Sequence, residues 1–251
     1  MGRRVTVLGG GAMGTACAVL LAGQPETSVT LWLRQPADAA RLGSTRCNDR
    51  YLPGYELPPE IEVTSDPKQA LAGAEWIVAA VPTAFLRDTL SPLAVHVPTG
   101  VPVVSVIKGI EAGSLARPSE IVTGVFGPRP VVALCGPSHA EEMVERHPAS
   151  VVAAGHDEAV CQAVVELFRT ARFRVYSNRD LVGVELAGAL KNVVAIAAGV
   201  SDGLGFGDNA KAALLTRACF ELARLVQHLG GKPGTLFGLA GMGDLITSCF
   251  S

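Results

Sequence analysis

Val5-Thr6-Val7-Leu8-Gly9-Gly10-Gly11-Ala12-Met13-Gly14-Thr15-Ala16 is the stretch whose reading decides the fold. An apolar run of strand length leads into a glycine turn, and the small residues from Thr15 to Leu21 read as a helix. Gly9, Gly11 and Gly14 keep the spacing G-x-G-x-x-G. Each has a separate task. Gly9 permits the tight turn, Gly11 lets a pyrophosphate come against the backbone, and Gly14 lets the helix pack closely on the strand. The helix N-terminus offers free N–H groups and the positive end of its dipole to phosphates. A structural glycine turn produces the same spacing. The strand before it and the helix after it are what point to a dinucleotide.

Outward from that stretch, Ser28 to Leu33 reads as a second strand, and Arg34 stands at its end, twenty positions after Gly14. A carboxylate near this place accepts from the ribose 2′-hydroxyl of NAD, whereas a cation suits the 2′-phosphate of NADP. NADP(H) is therefore favoured over NAD(H), with a plain solvated arginine as the alternative. Arg46 to Pro59 is a loop rich in Pro, Gly and Tyr. Ile61–Thr64, Trp76–Pro82, Val101–Ile107, Val131–Cys135, Ser150–Ala154 and Phe173–Tyr176 read as further strands. Helices are expected at Pro67–Leu71, Phe85–Val95 and Glu158–Thr170. Alternating strands and helices argue for an α/β fold with a Rossmann-type, mainly parallel sheet.

From Asp180 the texture becomes helical. Leu181–Gly199, Asp208–Leu229 and the glycine-interrupted Leu236–Phe250 are the candidates. The expected organisation is a dinucleotide-binding domain over 1–179 and a helical substrate and catalytic domain over 180–251, with no long linker between them.

The 251 residues, 49% hydrophobic, are ample for a buried core. A net charge of −2 gives no electrostatic case for nucleic acid. Only 18% of residues are charged, which hints at an oligomer, such as a homodimer, or at a surface covered by a partner. Six scattered cysteines lack a C-x-x-C pair and suit a reduced, cytoplasmic setting. A strand begins at once and the glycine turn follows, so no signal peptide is expected. The apolar stretch Val182–Val200 carries Glu185, Lys191 and Asn192, so it reads as a buried helix rather than a membrane span. The five histidines show no metal-ligand spacing, and no metal is expected.

Lys191 is the most informative side chain. It sits in Gly188-Ala189-Leu190-Lys191-Asn192-Val193-Val194-Ala195, a run otherwise free of charge. At helical spacing Gly188, Lys191, Ala195 and Ala198 share a face, where small neighbours let a ligand approach. A lysine in such surroundings pairs, lowers its pKa or snorkels to water. It is either a structural lysine at a helix seam or a general acid/base beside a substrate carbonyl. Lys108 ends a buried strand at the edge where ligands bind such sheets, unless it is a loop lysine. Gly136-Pro137-Ser138 offers N–H groups and a hydroxyl to a small oxyanion, or is a plain turn. Asp244, flanked by Gly243 and Leu245, either orients an ammonium or caps a helix. His139 follows Ser138, and no catalytic role is assigned to it.

Taken together, these stretches resemble the bacterial NAD(P)-dependent glycerol-3-phosphate dehydrogenases. The matching segments are the glycine turn Gly9–Ala16, Ile107-Lys108-Gly109, Cys135–Glu142, Glu185–Gly199 around Lys191-Asn192, Ser201–Asn209 and Gly238–Leu245, in family order along the whole chain. The resemblance implies that Lys191 is the proton donor and acceptor. It implies that Lys108, Gly136, Ser138 and Asp244, with Lys191, contact glycerol 3-phosphate or dihydroxyacetone phosphate. It places Ala12, Met13, Arg34, Lys108 and Ala140 near the cofactor, beside Gly9, Gly11 and Gly14. The family continues beyond its Gly-Asp-Leu motif to a Ser-Arg-Asn motif that helps hold phosphate. This sequence reaches Thr247-Ser248-Cys249-Phe250-Ser251 instead, which implies a helical domain that is incomplete over 180–251. The implied activity is reduction of dihydroxyacetone phosphate to glycerol 3-phosphate for glycerophospholipid synthesis, on a small-molecule substrate. A related two-domain reductase of the β-hydroxyacid or ketopantoate type, and a nucleotide-binding paralogue without turnover, are the rival readings.

Overall fold

A computed structural model describes residues 2–250. Strands β1 (Arg3–Leu8), β2 (Thr27–Trp32), β3 (Glu62–Thr64), β4 (Trp76–Ala79), β5 (Val103–Ser105), β6 (Val131–Cys135), β7 (Ala149–Ala154) and β8 (Phe173–Asn178) form one sheet. Its order is β3-β2-β1-β4-β5-β6-β7-β8. Every pairing is parallel except β6 with β7. Helices α1 (Ala12–Ala22), α2 (Pro36–Thr45), α3 (Pro67–Leu71), α4 (Thr83–Leu90), α5 (Pro118–Phe126), α6 (Ala140–Val144) and α7 (Glu158–Phe168) connect the strands.

Alternation along the strands explains why both faces are covered. Val5 and Val7 of β1, Val78 of β4 and Val104 of β5 pack on one side with Cys17 and Leu21 of α1 and Val164 and Phe168 of α7. Leu8, Ile77, Ala79 and Val103 point the other way, onto Leu86 and Leu90 of α4 and Ile121 and Val122 of α5. Successive side chains of a strand face opposite sides, so these unbroken apolar runs need a helical layer on each. β1 lies between β2 and β4, and the chain leaves it in both directions. That reversal of strand order opens a crevice at the carboxyl ends of the strands.

The strands expected at 76–82 and 101–107 are shorter, because Pro82 and Lys108-Gly109 already belong to the crevice loops. The helix expected at 85–95 is α4 followed by a 3₁₀ turn, Ser91–His96, which tightens where Pro92 removes a donor. Three helices, α2, α5 and α6, were not expected. Two of them begin at a proline, Pro36 and Pro118, which reads in sequence as a breaker but is pre-organised for a first turn.

β8 ends at Asn178, and everything from Leu181 onward is helical. α8 (Leu181–Gly203) is capped by Asp180, whose Oδ1 accepts from the Gly183 N–H at 2.9 Å. α9 (Gly207–His228) returns along α8. At its far end, Asp180 Oδ2 accepts from the Lys232 N–H at 2.8 Å and from Thr235 Oγ1 at 2.6 Å. A 3₁₀ turn, Pro233–Phe237, and a single π turn, Leu239–Gly243, lead into α10 (Asp244–Phe250). α8 is long and apolar enough to cross a membrane, yet 56% of its apolar window is buried inside the fold. Leu181 and Val184 pack on Ala133 and Cys135 of β6, as expected of a core helix. Val193, Ile196 and Val200 of its second half, with Leu204 at its C-cap, form an exposed apolar stripe.

Candidate active site

The glycine turn has the geometry its spacing predicts. Gly9 sits at φ +114, and a Cβ there would lie 2.7 Å from the Ala80 carbonyl oxygen. A Cβ on Gly14 would lie 1.9 Å from the Gly9 oxygen, so helix and strand meet only because that residue is glycine. Gly11 is the N-cap of α1, with no capping side chain and open space where a Cβ would be. The first turn of α1 therefore faces the crevice with unpaired N–H groups, the arrangement that receives a pyrophosphate.

The crevice is about 760 Å³. Gly9, Gly11, Ala12 and Met13 line it on one wall, Arg34 at one end and Lys108 at the other. Gly14 lies beneath the turn. Ala140, the first residue of α6, is packed in the core and is not among the lining residues.

Lys108 connects the crevice to the helical region. Its Nζ lies 2.8 Å from Asp244 Oδ2 and donates to the Gly136 carbonyl at 3.2 Å. The other carboxylate oxygen, Oδ1, lies 2.7 Å from Lys191 Nζ. Lys191 also donates to Ser248 Oγ at 2.6 Å and to the Asp244 carbonyl at 3.4 Å. One carboxylate thus bridges two ammonium groups, and the trio carries one net positive charge. Asp244 is 2% exposed and Lys191 6%. Lys108 meets Asp244 at an angle that leaves Oδ2 without an aligned hydrogen-bond donor.

Burial pushes the Lys191 pKa below the ordinary lysine value, and the nearby Lys108 charge pushes it the same way, while Asp244 opposes both. Cys135, fully enclosed beside the trio, has its thiol pushed up to about 11 by burial, so it forms a neutral wall. Lys191 and Asp244 do not line the crevice themselves; they reach it through Lys108, which does. A lysine with a lowered pKa, held by a carboxylate that also binds a lysine of the crevice, is suited to exchanging a proton with a bound ligand.

The local folding follows from the sequence. Gly136 sits at φ +149, and a Cβ there would lie 2.9 Å from Val151 Cα, which turns the chain sharply after β6. The Ser138 hydroxyl folds back to donate to the Gly136 carbonyl at 3.0 Å, the oxygen that also accepts from Lys108. A Cβ on Gly188 would lie 2.8 Å from Cys135 Sγ, so glycine lets α8 seat on β6 one turn before Lys191. The π turn closes with Gly243 N–H donating to the Gly238 carbonyl at 3.1 Å and delivers Asp244 at the start of α10. His139 precedes α6, and its Nε2 is buried without a hydrogen-bond partner among the described residues.

Two features were not singled out from the sequence. Ser248 is a direct partner of Lys191, and its position four residues after Asp244 on a helix was the available signal. Glu185, buried on α8, binds Arg117 Nη1 at 2.7 Å, the Ser119 N–H at 2.7 Å and Ser119 Oγ at 2.6 Å. It ties α8 to the start of α5, and no local pattern pairs residues so far apart.

The family model described as NAD-dependent glycerol-3-phosphate dehydrogenase N-terminus matches residues 4–161, and the corresponding C-terminus model matches residues 180–251. A glycerol-3-phosphate dehydrogenase [NAD(P)+] of Chlorobium phaeobacteroides is 47% identical over 251 residues, 99% of this chain and 75% of its own length. The protein of that name from Geobacillus thermodenitrificans is 47% identical over 250 residues, 98% of this chain and 73% of its own. The crystal structure of glycerol-3-phosphate dehydrogenase from Coxiella burnetii superposes with a TM-score of 0.94 at 36% identity, covering 100% of this chain and 76% of that one.

Proposed function

The chain belongs to the NAD-dependent glycerol-3-phosphate dehydrogenase family and is an NAD(P)-dependent oxidoreductase of that activity, and from this premise we propose how its residues divide the work. The family match selects among the readings open in the sequence and sets aside the β-hydroxyacid and ketopantoate alternative.

In this reading, residues 1–179 hold the dinucleotide and residues 180–251 carry the catalytic helix. Gly9, Gly11, Ala12 and Met13 receive the pyrophosphate above Gly14, Arg34 faces the adenosine ribose, Lys108 completes the cofactor's surroundings, and Ala140 backs the site from the core without reaching the crevice. Lys108, Gly136, Ser138, Lys191 and Asp244 hold dihydroxyacetone phosphate. When bound, the nicotinamide cofactor supplies the hydride that reduces the C2 carbonyl. Lys191 gives its Nζ proton to the C2 oxygen as negative charge gathers there, and takes it back in the reverse direction. Asp244 aims the ammonium, and Ser248 fixes its second hydrogen. Lys108 adds positive potential where the oxyanion forms.

One observation carries this assignment: a buried Lys191 ammonium held 2.7 Å from Asp244, which is itself shared with a lysine of the dinucleotide crevice. Turnover of NADPH with dihydroxyacetone phosphate tests it. Lys191→Ala is expected to lower kcat by about 10²- to 10⁴-fold. An unchanged rate removes the lysine from the mechanism.

A role supplying glycerol 3-phosphate for glycerophospholipids follows from the reducing direction. Six unpaired cysteines support a cytoplasmic setting. The 18% charged fraction and the exposed stripe on α8 support a homodimer.

A further inference from the structure

The adenosine end of the crevice carries two opposed charges. Arg34 follows β2, Gln35 is the N-cap of α2, and Asp38 lies on the first turn of that helix. All three line the crevice. Asp38 meets Arg41 at 3.5 Å, with 41% of its side chain still exposed. A tight charge-assisted bond is about 2.8 Å, so this pair leaves the carboxylate open to other partners.

The two cofactors differ at one ribose position. NADP presents a phosphate there with close to two negative charges, and NAD presents a hydroxyl that donates a hydrogen bond. A guanidinium rewards the phosphate. A carboxylate repels the phosphate and accepts from the hydroxyl. We propose that Asp38 is a specificity-determining residue that opposes Arg34, lowering affinity for the 2′-phosphate and supporting the free 2′-hydroxyl. The balance between NADP(H) and NAD(H) is then set by this pair rather than by Arg34 alone. The inference rests on Arg34 facing the adenosine ribose, as proposed above.

Calorimetric titration with 2′,5′-ADP and with 5′-AMP measures the discrimination without hydride transfer. The quantity of interest is the ratio of Kd for 5′-AMP to Kd for 2′,5′-ADP. Asp38→Asn keeps the side-chain size and is expected to raise that ratio on the order of tenfold, tightening 2′,5′-ADP and loosening 5′-AMP. Arg34→Gln is expected to lower it by a similar factor. The double variant Asp38→Asn with Arg41→Gln should keep the rise, and its loss would assign the effect to a freed Arg41 and overturn the proposal. An unchanged ratio in Asp38→Asn, with Arg34→Gln still lowering it, overturns the role of Asp38 alone. A ratio that moves in neither variant overturns the placement of Arg34 as well. Thermal unfolding of each variant separates a binding change from a weakened α2, because Asp38 also sits favourably in that helix's dipole.

Discussion

At the level of single residues, the proposed mechanism rests on the buried trio Lys108, Lys191 and Asp244. The lowered pKa of Lys191 has two causes of one sign, burial and then the Lys108 charge, and only the second is removable by mutation. In the proposed mechanism Lys191 must be protonated to serve as the acid, so the rate of dihydroxyacetone phosphate reduction is expected to fall as pH rises through its pKa. Lys108→Gln removes the like charge, raises that pKa and moves the alkaline limb of kcat to higher pH, while kcat itself drops. A limb that stays in place or moves to lower pH refutes the coupling, and a pH profile of kcat in the two proteins decides it. The glycines of the turn, Lys108, Lys191 and Asp244 stood out as candidates because each departs from its surroundings, a glycine run after a strand or a charge in an apolar helix, and the fold brings the three charged ones together. Ser248 was not legible as a partner, because serine near a helix end is ordinary and only the fold brings it to the Lys191 ammonium.

At the level of elements, the seat of α8 on β6 is the critical contact. Gly188 and Cys135 meet with no room for another carbon. Gly188→Ala is expected to lift the helix, cost about 1–3 kcal/mol of stability by overpacking, and lower kcat on the order of tenfold by displacing Lys191. Cys135→Ala in the same protein should restore most of both, since the space lost at one residue is returned at the other. Urea unfolding and steady-state rates on the two variants check this. Failure of the second substitution to rescue would show that the close approach does not set the lysine's position. Most strands were legible from apolar runs, and α8 and α9 from their length. The helices α2 and α5 were hidden by their opening prolines, and α6 by its five residues. The expected third helix, 236–250, resolves into a 3₁₀ turn, a π turn and α10. A Cβ on Gly241 would lie 2.0 Å from the Leu236 carbonyl oxygen, a crowding that glycine spacing alone does not reveal.

At the level of the whole molecule, Val193, Ile196, Val200 and Leu204 form an exposed apolar stripe that a second copy of the chain would cover. If the homodimer forms through it, sedimentation gives twice the protomer mass, and Ile196→Lys shifts the equilibrium to monomer. A monomer in the unaltered protein at micromolar concentration withdraws the dimer. The doubly wound architecture and its crevice were legible from strand–helix alternation. The one antiparallel pairing was not, because apolar runs do not encode direction.

That single reversal has a consequence for how catalysis is reached. Six strands run toward the nucleotide rim, but β7 and β8 run away from it, so the chain leaves the sheet at the far rim. α8 must then climb alongside β6, passing Ala133 before Cys135, and its tenth residue beyond Leu181 is Lys191. Ten residues of α-helix span about 15 Å, close to the depth of such a sheet. Had β7 been laid down in the common direction, the helix would start at the nucleotide and carry its amine off into solvent. Chain polarity, set by a single strand pairing, thereby brings the Lys191 ammonium to the side of the sheet where Lys108 stands.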